Sequence, residues 1–131
     1  MKGVIENEGE LIVGKEMILE SNSPQNALAA FFEDDAETGY FYVLDTSLAE
    51  PVIDALEIYN VSNVRDGNIP STVQIAWSND GLKTALIIND YVHAVFDFDS
   101  QRGYCRTGFP SITDWSKDGH EWSDKALELF S

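Results

Sequence analysis

The sequence predicts an α+β protein that is mainly β: an antiparallel meander sheet of about six to seven strands built from β-hairpins, with one short helix near 51–56 and a short C-terminal helix near 123–130. Two similar units carry this reading. In the first, Phe31-Phe32 leads into the acidic turn Glu33-Asp34-Asp35-Ala36-Glu37-Thr38-Gly39, and Tyr40-Phe41-Tyr42-Val43-Leu44 returns to Asp45. In the second, Ile75-Ala76-Trp77 meets Ser78-Asn79-Asp80-Gly81, and the return ends at Asn89-Asp90. The third observation is a polar turn cluster between each pair of apolar runs, which is the punctuation of hairpins.

Taken in order, Leu11 to Leu19 reads as a first strand, with Leu11, Val13 and Met17 among polar positions. Residues 21–26 (Ser-Asn-Ser-Pro-Gln-Asn) form a loop on composition. Ala27 to Phe32 is apolar on both faces, as a central strand should be. Gly39 is expected to supply the positive φ that closes the acidic turn before Tyr40 to Leu44 returns. Pro51 suits the first turn of a helix, because its missing N–H would be unpaired there anyway. That helix would turn Val52, Ile53 and Leu56 to the core, followed by a strand reaching Val61; the apolar period over 55–61 fits helix and strand equally. Thr72 to Ser78 is a strand with Val73, Ile75 and Trp77 on one face. Thr84 to Ile88 returns, Asn89-Asp90 forms a two-residue turn, and Tyr91 to Phe98 completes a three-stranded meander. Alternation puts Tyr91, His93, Val95, Asp97 and Asp99 on one face of that strand, and Val92, Ala94, Phe96 and Phe98 on the other. Gly103 to Arg106 adds an edge strand. Ser123 caps the last helix, with Trp122 and Leu127 at staple positions, and Trp122, Ala126, Leu127 and Phe130 dock it. No linker divides the chain, so residues 1–131 read as a single domain.

Charge narrows the function classes. The 131 residues hold 8 Lys plus Arg against 23 Asp plus Glu, a net charge of −15. Spread evenly over roughly 7,000 Å² of surface, the excess charges would lie about 20 Å apart, beyond the ~8 Å screening length at physiological salt. Only clusters can steer a partner, and the candidates are Glu6/Glu8/Glu10, Glu33/Asp34/Asp35/Glu37 and Asp97/Asp99. Binding to nucleic acid or to an anionic membrane needs a basic surface that is lacking. A basic protein partner is compatible. The single cysteine, Cys105, forbids an intramolecular disulfide and suggests a reducing compartment, hence the cytoplasm.

The chemistry-bearing residues are few. The adjacent acids of the 33–37 turn lack the alternating ligand pattern of a calcium loop, so no metal is expected. His93 and Asp97 lie about 13 Å apart along a strand, too far for a base and its orienter. Asp97 and Asp99, about 7 Å apart, could flank a water, yet the aromatic cleft that a glycosidase needs is not evident. Cys105 sits between Arg102 and Arg106, cations able to lower a thiol pKa, but no catalytic-cysteine motif surrounds it. No catalytic residue and no cofactor is therefore assigned. Asp97, Asp99, Arg102, Tyr104, Cys105 and Arg106 remain the ligand-binding candidates.

The stretches Phe32 to Asp45, Trp77-Ser78-Asn79-Asp80-Gly81, Ala94-Val95-Phe96-Asp97-Phe98 and Arg102-Gly103-Tyr104-Cys105-Arg106 resemble a family of small acidic bacterial proteins catalogued as a domain of unknown function. The resemblance covers most of the chain. It implies a bacterial origin and brings no activity or ligand with it.

The leading expectation is a non-catalytic acidic protein-binding module, such as an immunity or antitoxin-like inhibitor whose carboxylates cover a basic active site. Its contact residues would be Glu33, Asp34, Asp35 and Glu37. The alternative is a small-molecule binder or enzyme using the Asp97 to Arg106 region. A second alternative is an accessory or structural subunit contacting its neighbours through Trp115 and Trp122.

Overall fold

The computed structural model describes residues 4–65, 69–109 and 120–130. Among the described residues nine strands form two antiparallel sheets rather than one meander. The four-stranded sheet has the order β2 (Met17–Asn22), β3 (Leu28–Asp34), β4 (Thr38–Asp45) and β5 (Val52–Asn60). The five-stranded sheet runs β1 (Val4–Leu11), β6 (Ser71–Trp77), β7 (Lys83–Ile88), β8 (Tyr91–Asp97) and β9 (Arg102–Cys105). Each sheet carries one apolar face, and two such faces are best buried against each other. Phe32, Phe41, Val43 and Leu56 from one sheet meet Val73, Ile75, Trp77, Leu86 and Phe96 from the other in a shared core. Trp77 also reaches across, its indole N–H donating to Ser21 Oγ at 3.0 Å.

The first expected strand breaks in the middle. Residues 12–16 turn from one sheet to the other, with Lys15 N–H donating to the Ile12 carbonyl and Gly14 at φ 89°. The expected helix near 51–56 is instead β5, since Phe41 and Val43 hold Leu56 and Asp54 in cross-strand register. A short 3₁₀ turn, Val61–Asn63, follows it. At the C-terminus Asp124–Phe130 is a 3₁₀ helix, started by Ser123, whose Oγ accepts from Lys125 N–H. Ala126 seats it on Ala85 and Val95, covering the outer face of the five-stranded sheet, with Trp122 packed alongside.

Two backbone expectations need correction. The positive φ of the acidic turn belongs to Ala36, at 77°, and not to Gly39. Gly39 is required for space: a Cβ there would stand 2.6 Å from the Tyr59 ring. On β8, Leu86 pairs Ala94 and Ile87 pairs Val92, so His93 is a bulged residue. The bulge shifts the phase and brings Val92 into the outer cluster under the C-terminal helix. The turn Asn89-Asp90 is as expected, both residues having positive φ (51° and 65°), as a two-residue hairpin turn demands. Among the described residues no helix is long and apolar enough to cross a membrane. The expected docking contact of Phe130 and the contact role of Trp115 lie outside the described side chains.

Candidate functional site

Strand register gathers the acidic residues at one end of the sandwich. Met17 pairs Asp34, Thr38 pairs Asn60 and Leu11 pairs Ser71, so the 12–16 turn, the 35–37 turn and the start of β6 share that end. Glu10, Glu16, Asp35 and Glu37 are exposed there, with Glu33 half-buried beside them. Shallow depressions flank the turn. One of about 400 Å³ is lined by Glu16, Met17, Ile18, Glu33, Asp34 and Asp35. Another of about 420 Å³ lies between Glu37 and Asn60.

The four carboxylates of the turn do not behave alike. Asp34 is only 1% exposed and is absorbed by the fold. It accepts from Gly14 N–H at 2.8 Å, Ala36 N–H at 2.8 Å and the Tyr59 hydroxyl at 2.6 Å. It ties the two turns and β5 together and presents nothing to a partner. Burial, then the Asp34 hydrogen bond, push the Tyr59 phenol well above its ordinary value. Asp35 is exposed and closes an Asx turn, accepting from the N–H groups of Thr38 and Glu37, which lower its pKa in that order. Glu33 projects outward from β3, opposite Tyr40.

A wider asymmetry lies behind this cluster. Residues 17–64, which supply the whole four-stranded sheet, contain nine acids and no Lys, Arg or His. The outer face of that sheet carries an aromatic ladder. Phe31 stacks on Tyr42 with centroids 4.6 Å apart, and Tyr40 lies 5.8 Å from Tyr42. Exposed Ile18 and Val52 flank the ladder. Both phenols are shifted upward, by burial first and then by Glu57 beside Tyr40 and Glu33 beside Tyr42. The cation-free span was readable in the sequence; the ladder required knowing which strands neighbour each other.

The Asp97 to Arg106 segment does not converge on one site. Asp97 is buried and caps the β8–β9 turn, accepting from the N–H groups of Asp99 and Ser100. Asp99 is exposed. Arg102 lies over the Tyr104 ring at 5.0 Å, its Nε buried and without a hydrogen-bond partner among the described residues. Arg106 is sandwiched between Tyr91 at 4.4 Å and Trp122 at 3.7 Å, and donates through Nε to the Val92 carbonyl. Cys105 faces the opposite way, into the core. Its thiol donates to the Phe109 carbonyl, and burial pushes its pKa up, the reverse of an activated nucleophile.

A polar pair that the sequence reading missed sits in the same seam. His120 Nε2 lies 2.9 and 3.0 Å from the carboxylate oxygens of Asp54, both residues being buried. Gly103 makes the space, since a Cβ there would come within 2.9 Å of His120 Cδ2. Cys105 N–H donates to the His120 carbonyl, which fastens His120 to β9. Cys, His and Asp thus meet in one seam, but the thiol has no exposed surface from which to attack a substrate. Among the described residues no three His, Cys, Asp or Glu side chains form a group able to hold a metal ion.

Fold and side chains define the class: a two-sheet β-sandwich with an acidic end and a cation-free sheet. The chain belongs to the family described as "Uncharacterized protein conserved in bacteria (DUF2251)", whose model matches residues 11–131. It is similar to an uncharacterized protein of Haemophilus influenzae, with 39% identity over 94 residues. That match covers 69% of this chain and 58% of the relative, so the chain spans less than two thirds of the relative's length. No solved structure matches it.

Proposed function

We propose that the protein is a non-catalytic acidic module that binds a basic protein, in the manner of an immunity or antitoxin-like inhibitor acting in the cytoplasm. The observation that carries this reading is the set Glu33, Asp35 and Glu37, none of which forms an ion pair among the described residues, on a segment lacking any cation. Charges left unneutralised within the fold remain available to a partner, and such complementarity speeds association and weakens with salt. Asp34 shapes the turn and makes no contact. The Asp97 to Arg106 region is less suited to a ligand, because its side chains divide between two faces and serve internal contacts.

The test compares two triple variants of equal charge loss. Glu33→Gln/Asp35→Asn/Glu37→Gln removes the proposed contacts, whereas Glu50→Gln/Glu121→Gln/Glu128→Gln removes three exposed carboxylates elsewhere. Binding to a lysine- and arginine-bearing peptide is measured against salt. The first variant should lose most of the affinity and the second little. Equal losses would mean that net charge alone attracts the peptide, and the reading would fail.

A further inference from the structure

The two outer sheet faces of this sandwich are built alike but completed differently. On the five-stranded sheet, aromatic rings are occupied by the chain's own arginines: Arg106 between Tyr91 and Trp122, Arg102 over Tyr104. The C-terminal 3₁₀ helix seals that face through Ala126. On the four-stranded sheet, the rings of Phe31, Tyr40 and Tyr42 form a comparable ladder, yet no cation–ring contact occurs there among the described residues. The segment has no Lys or Arg with which to make one.

We infer that the outer face of β2–β5 is a docking surface for an arginine-bearing segment of a basic protein, whose guanidinium groups stack on Tyr40 and Tyr42 between Glu20, Glu33 and Glu57. The inference rests on the binding-module reading and specifies its surface. Register supplies the geometry. One cross-strand row reads Ile18–Glu33–Tyr40–Glu57 and the next Glu20–Phe31–Tyr42–Ala55, so Tyr40 has a carboxylate on either side and Tyr42 stands beside Phe31 with Glu20 one strand further on. A planar guanidinium can lie over a ring while its N–H groups reach a neighbouring carboxylate, which an ammonium does less well. Exposed Ile18, at 56%, and Val52, at 37%, supply apolar surface for the aliphatic part of such a segment. Charge also discriminates among occupants. A second copy would bring Glu20, Glu33 and Glu57 again and no cation to this face, so self-association is disfavoured.

The experiment uses the full chain, isotope-labelled, at low ionic strength. The probes are a short peptide alternating Arg with Gly and its Lys counterpart of equal charge. Amide shifts should extend from Glu33, Asp35 and Glu37 onto Glu20, Phe31, Tyr40, Tyr42 and Glu57, and the Arg peptide should bind tighter than the Lys peptide by about 2–5-fold per ring engaged. Tyr40→Leu/Tyr42→Leu, which retains apolar area, should erase that preference while leaving binding. Glu33→Gln/Glu57→Gln, which leaves the apolar face intact, should weaken both peptides, the Arg peptide at least as much as the Lys peptide. Shifts confined to residues 35–37 with equal Arg and Lys affinities would overturn this surface but leave the acidic module standing. Failure of both peptides to bind would remove both readings. Self-association mapped to this face would overturn the assignment of an arginine-bearing occupant.

Discussion

Removing the Asp34 carboxylate should be among the most damaging single changes at the acidic end, although three of its neighbours in sequence are acidic too. Its oxygens accept from three donors that belong to separate elements: Gly14, Ala36 and Tyr59. Hydrogen bonds to a charged acceptor contribute roughly 1.5–3 kcal/mol each, and an orphaned buried donor costs about 1–3 kcal/mol. Ala36 is exposed, so water can replace the carboxylate at its N–H; the Gly14 and Tyr59 bonds are the ones lost. Asp34→Ala should therefore cost about 3–5 kcal/mol, a large part of the ~5–15 kcal/mol that holds a domain of this size. With a urea slope of about 2 kcal/mol per M, the midpoint should fall by roughly 1.5–2.5 M at unchanged slope, followed by tryptophan fluorescence. Asp35→Ala, one residue on and exposed, should shift it little. In a double-mutant cycle, Asp34→Ala and Tyr59→Phe should be clearly non-additive, because both delete the same 2.6 Å bond. A loss below about 1 kcal/mol for Asp34→Ala, or simple additivity with Tyr59→Phe, would refute the assignment of Asp34 as the knot of this end.

Three other expectations follow. Ala36 holds φ at 77°, a region that costs a non-glycine residue about 1 kcal/mol, so Ala36→Gly should raise the urea midpoint slightly; a lower midpoint would show that the turn is not strained. Arg106→Ala removes the cation between Tyr91 and Trp122, costing about 1–2 kcal/mol and exposing the C-terminal helix to protease; unchanged digestion would contradict its role as a clamp. Tyr40, Tyr42 and Tyr59 all have folded pKa values raised above the ordinary phenol value. Their stabilisation is therefore complete below about pH 10, where the unfolded phenols still hold their protons, and declines as pH rises past it. Urea midpoints measured from about pH 9 to about pH 11 should fall, and less steeply in Tyr59→Phe; a flat profile would oppose the burial of these phenols.

The meander of β6, β7 and β8 was legible because alternation and turn chemistry agree there: Val73, Ile75 and Trp77 share a face, and Asn89-Asp90 accept positive φ. Residues 52–60 were not legible. Asp54-Ala55-Leu56-Glu57-Ile58 carries no decisive period, and what makes it a strand is its pairing with β4 and a buried histidine 66 residues away. The division into two sheets likewise depends on β1 pairing with β6, Leu11 with Ser71, a contact that no local pattern announces. The separation of Asp34 from Asp35 could have been read. Asp34 shares the strand phase of Phe32 and so points inward, whereas the composition of the turn suggested four equivalent carboxylates. Gly39 was read for its φ when its importance is the ring lying against it.

A sheet whose strands carry six acids and no cation should repel itself, and the geometry explains why the cost is small. Glu33 and Glu57 stand on either side of Tyr40, two strands apart, about 9.6 Å at ordinary strand spacing. In water two like charges at that distance repel by about 0.4 kcal/mol, and screening at physiological salt reduces this to about 0.1 kcal/mol. Had they been adjacent across one pair of strands, the screened cost would be about fourfold greater. A cation resting on Tyr40 meets the opposite situation. At roughly 5 Å from each carboxylate it gains about 0.4 kcal/mol from each after screening, about 0.9 kcal/mol in all, and more wherever the ring excludes water. The tyrosine therefore acts as a spacer as well as a platform: it holds the acids far enough apart for the fold to tolerate them, yet close enough for one incoming charge to engage both.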